Sequence, residues 1–227
     1  SESKRRQIAA IAQADSHAPL YHFIPPEGRV VCFDPNGAIF WKGRYHLFYI
    51  FQDPARKTGP AFQQFGHSWG HASSPDLLHW EFHPTALSPE PGDPECGIYS
   101  GCALVNKEGV PTLVYYGCNA GICIATAQDD DLNVWRKNPR NPVIPEPKKA
   151  GDPGWGVYNV FDPHVWLEGD TYCVILGGKV KPHEIRDTAY LFQSRDLVHW
   201  DYRHPFYAPN PAWTDEREDC ACPDFFP

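Results

Sequence analysis

The chain has 227 residues, with 28 acidic against 20 basic side chains and a formal net charge of −8. That balance leaves no excess of Lys and Arg to neutralise phosphates, which argues against a nucleic-acid partner, and no apolar run approaches the roughly 18 residues of a membrane span. Aromatics at 14% of the chain, with 24 prolines against 18 glycines, argue against disorder and for many short punctuated strands, hence an all-β protein.

Residues 1–17 read as an N-terminal extension. Lys4, Arg5 and Arg6 precede the short apolar stretch Ile8 to Ala12, which is shorter than the roughly 7–15 residues of a signal-peptide core and reads as a surface helix. From there a repeat organises the chain. The first unit has Ala38-Ile39-Phe40-Trp41, a turn at Lys42-Gly43-Arg44, then Tyr45 to Tyr49. The second has Ala103-Leu104-Val105, a turn around Lys107-Glu108-Gly109, then Thr112 to Tyr116. The third has His164-Val165-Trp166, a turn at Glu168-Gly169-Asp170, then Tyr172 to Leu176. Each is a hairpin signal, two apolar runs around a Gly-containing turn.

A third strand is expected in each unit at 68–72, 122–125 and 189–193. It is followed by a Ser/Asp turn and a fourth strand that opens at a tryptophan. Ser74-Pro75-Asp76-Leu77-Leu78-His79-Trp80 recurs as Ser194-Arg195-Asp196-Leu197-Val198-His199-Trp200, with a weaker copy at Asp130-Asp131-Leu132-Asn133-Val134-Trp135. Four antiparallel strands at a period of roughly 50–65 residues predict β-propeller blades, in which the recurrent Trp fills the gap between neighbouring sheets.

The innermost strand of each blade lines the central channel. These strands are expected to open at Asp34-Pro35-Asn36-Gly37, at Tyr99-Ser100-Gly101, at Asp162-Pro163-His164 and, for a fourth blade, at Cys222-Pro223-Asp224-Phe225-Phe226. Asp34-Pro35-Asn36-Gly37 is also a strong turn sequence. Its Asp-Pro recurs at Asp162, which favours two acids converging on one pocket, the requirement of glycoside hydrolysis. His71 is expected to pack or hydrogen-bond beneath that pocket, and His164 to be structural. No two histidines have metal-ligand spacing with a carboxylate, so no metal and no cofactor are expected.

None of the eight cysteines forms a Cys-x2-Cys zinc pattern. Cys102, Cys123 and Cys173 lie in apolar runs and read as buried free thiols. Cys118 and Cys123 flank Asn-Ala-Gly-Ile, a spacing that allows them to face each other across a hairpin. Free thiols are the reading taken, and the redox compartment stays open.

The ordered blocks resemble glycoside hydrolase family 32, the invertases, levanases, inulinases and related fructosyltransferases. They are Tyr21-His22-Phe23 leading to Asp34-Pro35-Asn36-Gly37, Gly43 to Tyr49, Trp69-Gly70-His71-Ala72-Ser73 with Asp76 to Trp80, Tyr99-Ser100-Gly101, Phe161-Asp162-Pro163, and Ala221-Cys222-Pro223-Asp224. The resemblance implies a five-bladed propeller and retaining chemistry on β-fructofuranosides of sucrose, inulin or levan type. Carried over by motif, Asp34 is the nucleophile and Asp162 holds sugar hydroxyls. Tyr99, Ser100, Trp69 and Asp219 belong to the sugar site, and Gln52 replaces a family glutamine expected nearer position 50. A carbohydrate is the expected partner; the address stays open, with extracellular or periplasmic favoured over cytoplasmic, and so does the oligomeric state.

Three departures stand out. The Asn that precedes the family nucleophile is Phe33 here, and the Arg of the R-D-P block is Phe161, which removes a bidentate donor. The acid/base Glu of the E-C-P-D block is Ala221. Three explanations stay open: an engineered replacement of the acid, an acid shifted to Asp219 or Glu218, or a natural loss that leaves a carbohydrate-binding propeller. A related furanosidase or a transferase outcome also stays open. Five blades would need on the order of 250–325 residues. Residues 18–227 are therefore expected to be the N-terminal part of a truncated catalytic domain, three blades plus the first strand of a fourth, with a β-sandwich beyond them. The absence of methionine even at position 1 fits a processed or cut start.

Overall fold

The computed structural model describes residues 17, 23–26, 32–53, 66–181, 184–210, 212–213 and 220–226, without the side chains of 32, 33 and 179–187. The extension 1–17, except position 17, lies outside the described residues.

Three antiparallel sheets follow one another, each with its strands in chain order. The first runs β1 (Cys32–Trp41), β2 (Arg44–Gln52), β3 (His67–Ser74) and β4 (Glu81–Phe82). The second runs β5 (Ile98–Val105), β6 (Pro111–Gly117), β7 (Gly121–Ala127) and β8 (Trp135–Lys137), with β9 (Ile144–Pro145) added on β7. The third runs β10 (Phe161–Glu168), β11 (Thr171–Lys181), β12 (Glu184–Ser194) and β13 (Trp200–Tyr207). The predicted hairpins and third strands are all present. The turn between β1 and β2 has Lys42 and Gly43 both at positive φ, the backbone that matches strand twist in a two-residue hairpin.

The middle sheet is buried on both faces, which makes the arrangement a stack of propeller blades. Strand alternation divides its residues between two cores. Leu113 and Tyr115 of β6, with Cys123 and Ala125 of β7, face Phe48, Ile50 and Trp69 of the first sheet. Val114, Ile122 and Ile124 face Val165, Val174, Leu176 and Phe192 of the third. β1 lies against β5, and β5 against β10, so the three innermost strands stand side by side.

The repeated Ser/Asp turn is a structural device. Its leucine adopts positive φ in every copy, at Leu77, Leu132 and Leu197. The tryptophan three residues later donates its indole N–H to that leucine's carbonyl, at 3.1, 2.9 and 2.9 Å. The Trp therefore staples the turn as well as filling a gap. Trp135 meets Phe48 of the preceding sheet edge-on at 5.7 Å. In two copies an Asp carboxylate caps the turn, Asp76 on the N–H groups of Leu78 and His79, and Asp196 on those of Val198 and His199. In the middle copy Asp129 does this work, accepting from Asn133 and Val134. It sits three residues before Leu132, where the other copies have Ser74 and Ser194.

Candidate active site

Each inner strand breaks its ladder at the residues singled out above. The register of β1 shifts between Cys32 and Pro35, that of β5 between Ile98 and Gly101, and that of β10 between Phe161 and His164. Asp34, Tyr99-Ser100 and Asp162-Pro163 thus occupy equivalent irregularities at one end of three adjacent strands. A bulge re-aims a side chain that the two-residue period would send into a sheet face. The backbone of Asp162 is at φ +47° and that of Cys222 at +46°, sparsely populated for residues with a Cβ and sustained only by surrounding contacts.

Those contacts draw the acids together. The Ser100 hydroxyl donates to Asp34 Oδ2 at 3.1 Å. Asp162 Oδ2 accepts the backbone N–H of Cys222 at 3.1 Å and its thiol at 3.5 Å. The Cys222 thiol is pushed up to about 11, first by burial and then by the charges of Asp162 and Asp34, while a hydrogen bond with Ser100 opposes the shift. Asp162 touches Cys222 directly, and Ser100 links Asp34 to the same region.

Asn36 is the residue that sequence reasoning passed over as part of a turn. It is buried, donates to the Asp34 carbonyl at 2.8 Å and accepts the Gly101 N–H at 3.0 Å. It locks β1 to β5 at the height of Asp34 and Ser100. The available signal was its place two residues after the repeated Asp-Pro.

Other expected site residues divide. Tyr99 is half-buried, with rings of His67 at 4.7 Å and Tyr116 at 5.9 Å beside it, and burial pushes its hydroxyl well up. Trp69 needs correction as a sugar contact. It is 0% exposed, packed between Phe48 and Tyr115, and donates its indole N–H to the Tyr99 carbonyl at 3.0 Å. It supports Tyr99 from beneath. Gln52 is half-buried at the end of β2, paired with His67. Phe161 faces Tyr116 at 6.5 Å, so aromatic rings run from His67 through Tyr99 and Tyr116 to Phe161. Glu218 and Asp219 lie outside the described residues, as does the side chain of Phe33.

Ala221 is exposed and adjoins Cys222 in a segment, 220–226, that lies along β10. Besides the bonds to Asp162, His164 Nδ1 lies 2.7 Å from Asp224 Oδ1, and Trp166 meets Phe225 at 5.0 Å. His164 therefore faces a cavity of about 410 Å³ with Asn36, Gly101, Cys102, Asp224 and Phe226 in its wall. His71 is fully buried beneath, its Nε2 2.9 Å from His46 Nδ1.

Glycine at 177 gives the segment its seat. A Cβ there would come within 2.2 Å of the Cys220 carbonyl oxygen and 2.9 Å of the Phe161 ring. Gly177→Ala is expected to lower stability by about 1–3 kcal/mol through overpacking, and to speed proteolytic cleavage near residues 220–226. An unchanged Tm and cleavage rate would show that the segment is not seated there.

The model of the glycosyl hydrolases family 32 N-terminal domain matches residues 22–227. The chain belongs to glycosyl hydrolase family 32. This family 32 chain is 36% identical over 225 residues to a sucrose-6-phosphate hydrolase of Salmonella typhimurium, covering 95% of itself and 44% of that protein. It is similar to a mutant GH32 beta-fructofuranosidase of Bombyx mori solved in complex with sucrose, at TM-score 0.68 and 26% identity, over 100% of this chain and 46% of that one. It is also similar to a variant of fructan 1-exohydrolase IIa of Cichorium intybus in complex with 1-kestose, at TM-score 0.65 and 28% identity, over 82% and 34%. The chain spans less than half the length of these relatives.

Proposed function

We propose that the protein acts on β-fructofuranosides by retaining double displacement. The observation that supports this most strongly is the convergence of Asp34 and Asp162, from two different sheets, on the Cys222 segment. In the first step an Asp34 carboxylate oxygen bonds to the anomeric carbon while the glycosidic oxygen leaves and takes a proton. In the second, water attacks that carbon, loses its proton to a base and releases Asp34. Ser100 holds the carboxylate on the attacking line. Asp162 grips sugar hydroxyls and faces the positive charge that develops on the ring in this reading. The aromatic row from His67 to Phe161 offers apolar faces to the aglycone. Ala221 has no proton to give, so the general-acid step lacks its group at this position and turnover by the chain as it stands is expected to be slow.

Ala221 itself favours a second reading, a fructoside-binding propeller without turnover. Hydrolysis and calorimetric binding of sucrose, inulin and levan by the full-length protein separate the two. The enzyme reading expects turnover that falls at least about 10³-fold in Asp34→Asn, with sugar binding retained, because the covalent step disappears. Binding without turnover in the parent selects the second reading. Turnover that survives Asp34→Asn overturns the nucleophile assignment.

A further inference from the structure

Cys118 does not face Cys123 across the β6–β7 hairpin. The Cys123 thiol turns to Glu95 and to the Gly121 carbonyl. The neighbour of Cys118 is Cys96, on the chain that leads into β5. The Cys96 N–H donates to the Cys118 carbonyl at 3.2 Å, the Cys118 N–H donates to the Gly97 carbonyl at 2.9 Å, and Cys96 Sγ lies 3.5 Å from the Cys118 carbonyl oxygen. The two thiols are close enough for each to feel the other's charge, and both are free. Cys96 and Gly97 share Cys118 as their partner in a bulged antiparallel pairing, which keeps the Cys96 and Cys118 backbones adjacent.

Both backbones are fixed. Glu95 is buried and held by Lys137 Nζ at 2.6 Å and the Tyr115 hydroxyl at 3.1 Å, and Gly117 admits its side chain, since a Cβ there would stand 2.8 Å from Glu95 Cβ. The pair also touches the sugar site, because Tyr99 hydrogen-bonds the Cys118 thiol and its ring packs over Gly97.

We infer that Cys96 and Cys118 form an oxidisable pair whose closure to a disulfide releases Tyr99 and weakens the sugar site. The oxidant is a low-molecular-weight disulfide such as oxidised glutathione. The Cys96 thiolate, the more exposed of the two, attacks one of its sulfurs, forming a mixed disulfide and expelling one glutathione thiolate. Cys118, after losing its proton, attacks Cys96 Sγ and expels the second, so two protein thiols and one glutathione disulfide become one protein disulfide and two glutathione thiols. Burial holds the Cys118 thiol up at about 12, which makes the second step the slow one. Once formed, the disulfide draws Cys118 Sγ toward Cys96 and turns it away from the Tyr99 hydroxyl that donates to it.

The effect on sugar rests on the fructoside reading, whereas the cross-link does not. Full-length protein purified under reductant is incubated with oxidised glutathione and its unreduced peptides are mapped by mass spectrometry. A peptide pair joined through Cys96 and Cys118 is expected, two hydrogens lighter than the thiols and restored by dithiothreitol. KM for sucrose is expected to rise several-fold on oxidation and to return on reduction, with Cys96→Ser insensitive; if the parent does not turn over, calorimetric Kd replaces KM. A link to Cys123 instead, a mixed disulfide that persists at Cys96, or no link in folded protein overturns the pair. A clean Cys96–Cys118 link with unchanged KM or Kd overturns its coupling to Tyr99.

Discussion

Ala221→Glu in the full-length protein is expected to raise the rate of sucrose hydrolysis by about 10²- to 10⁴-fold, the range in which a positioned general acid contributes. Three features prepare position 221 for that acid. Its neighbour Cys222 is pinned by the Asp162 carboxylate through the backbone N–H. The Cys222 sulfur is within the influence of both Asp34 and Asp162. The segment is seated against Gly177 and along β10 through Asp224 and Phe225. Retaining chemistry needs roughly 5–5.5 Å between the two carboxyl groups, so the gain depends on the new glutamate reaching that separation from Asp34. The new activity would follow a bell-shaped pH profile, with one limb set by the introduced acid. A gain below tenfold with sugar binding intact would mean that Glu218 or Asp219 already protonates the leaving group. No turnover in either form would leave the chain a binding propeller.

The sequence carried the blade order because short-range chemistry writes it plainly. Each hairpin has a glycine where the turn needs positive φ, as at Gly43 and Gly169, and alternation marks the strands around it. The three ladder irregularities at Asp34, Ser100 and Asp162 were invisible. A bulge costs one residue of register and leaves no compositional trace, yet it brings these side chains together. The same blindness explains Asn36, whose turn-like company hid a buried bridge between β1 and β5. Trp69 was misplaced for another reason. A motif block shows that a residue belongs to the site region but not on which face it lies, and here the odd–even pattern of β3 sends the indole inward. In the middle blade the capping acid is Asp129 rather than a member of the Asp130-Asp131 pair, because the turn fixes which N–H groups need a cap, the two after the positive-φ leucine, and not which residue supplies it. The departures at Phe161 and Ala221 were legible at once, since they are changes of chemistry rather than of geometry.

Acidification is expected to unfold the protein near pH 4, and the first blade contains the reason. His46 and His71 are buried with Nδ1 and Nε2 2.9 Å apart, and His71 is stacked between Phe48 at 4.7 Å and His83 at 4.3 Å. Burial is the main cause that lowers His46 from 6.5 to about 4 and His71 from 6.5 to about 3, with His83 and Arg44 adding like-charge repulsion at His46 and a hydrogen bond with the Trp41 backbone and the charge of Asp131 opposing the shift. At His71, His83 and His46 add the repulsion, and the nearby Asn133 side chain opposes it. The folded state therefore holds both rings neutral, while the unfolded chain protonates them below about pH 6.5. Stability from these sites is fully present above pH 6.5 and is lost as pH falls toward the folded values, by about 1.4 kcal/mol per pH unit for each ring. The two rings are coupled, so the losses do not simply add. A combined loss on the order of 3–6 kcal/mol by pH 4 is comparable to the whole stability of an ordinary domain. Urea unfolding of the full-length protein between pH 7.5 and 4.5 reads the slope directly. His71→Phe keeps the stacking and removes one titrating ring, so its stability should fall with acid less steeply, by about 1.4 kcal/mol per pH unit. An equally steep fall in that variant would place the acid sensitivity elsewhere, in the carboxylates that cap the Ser/Asp turns.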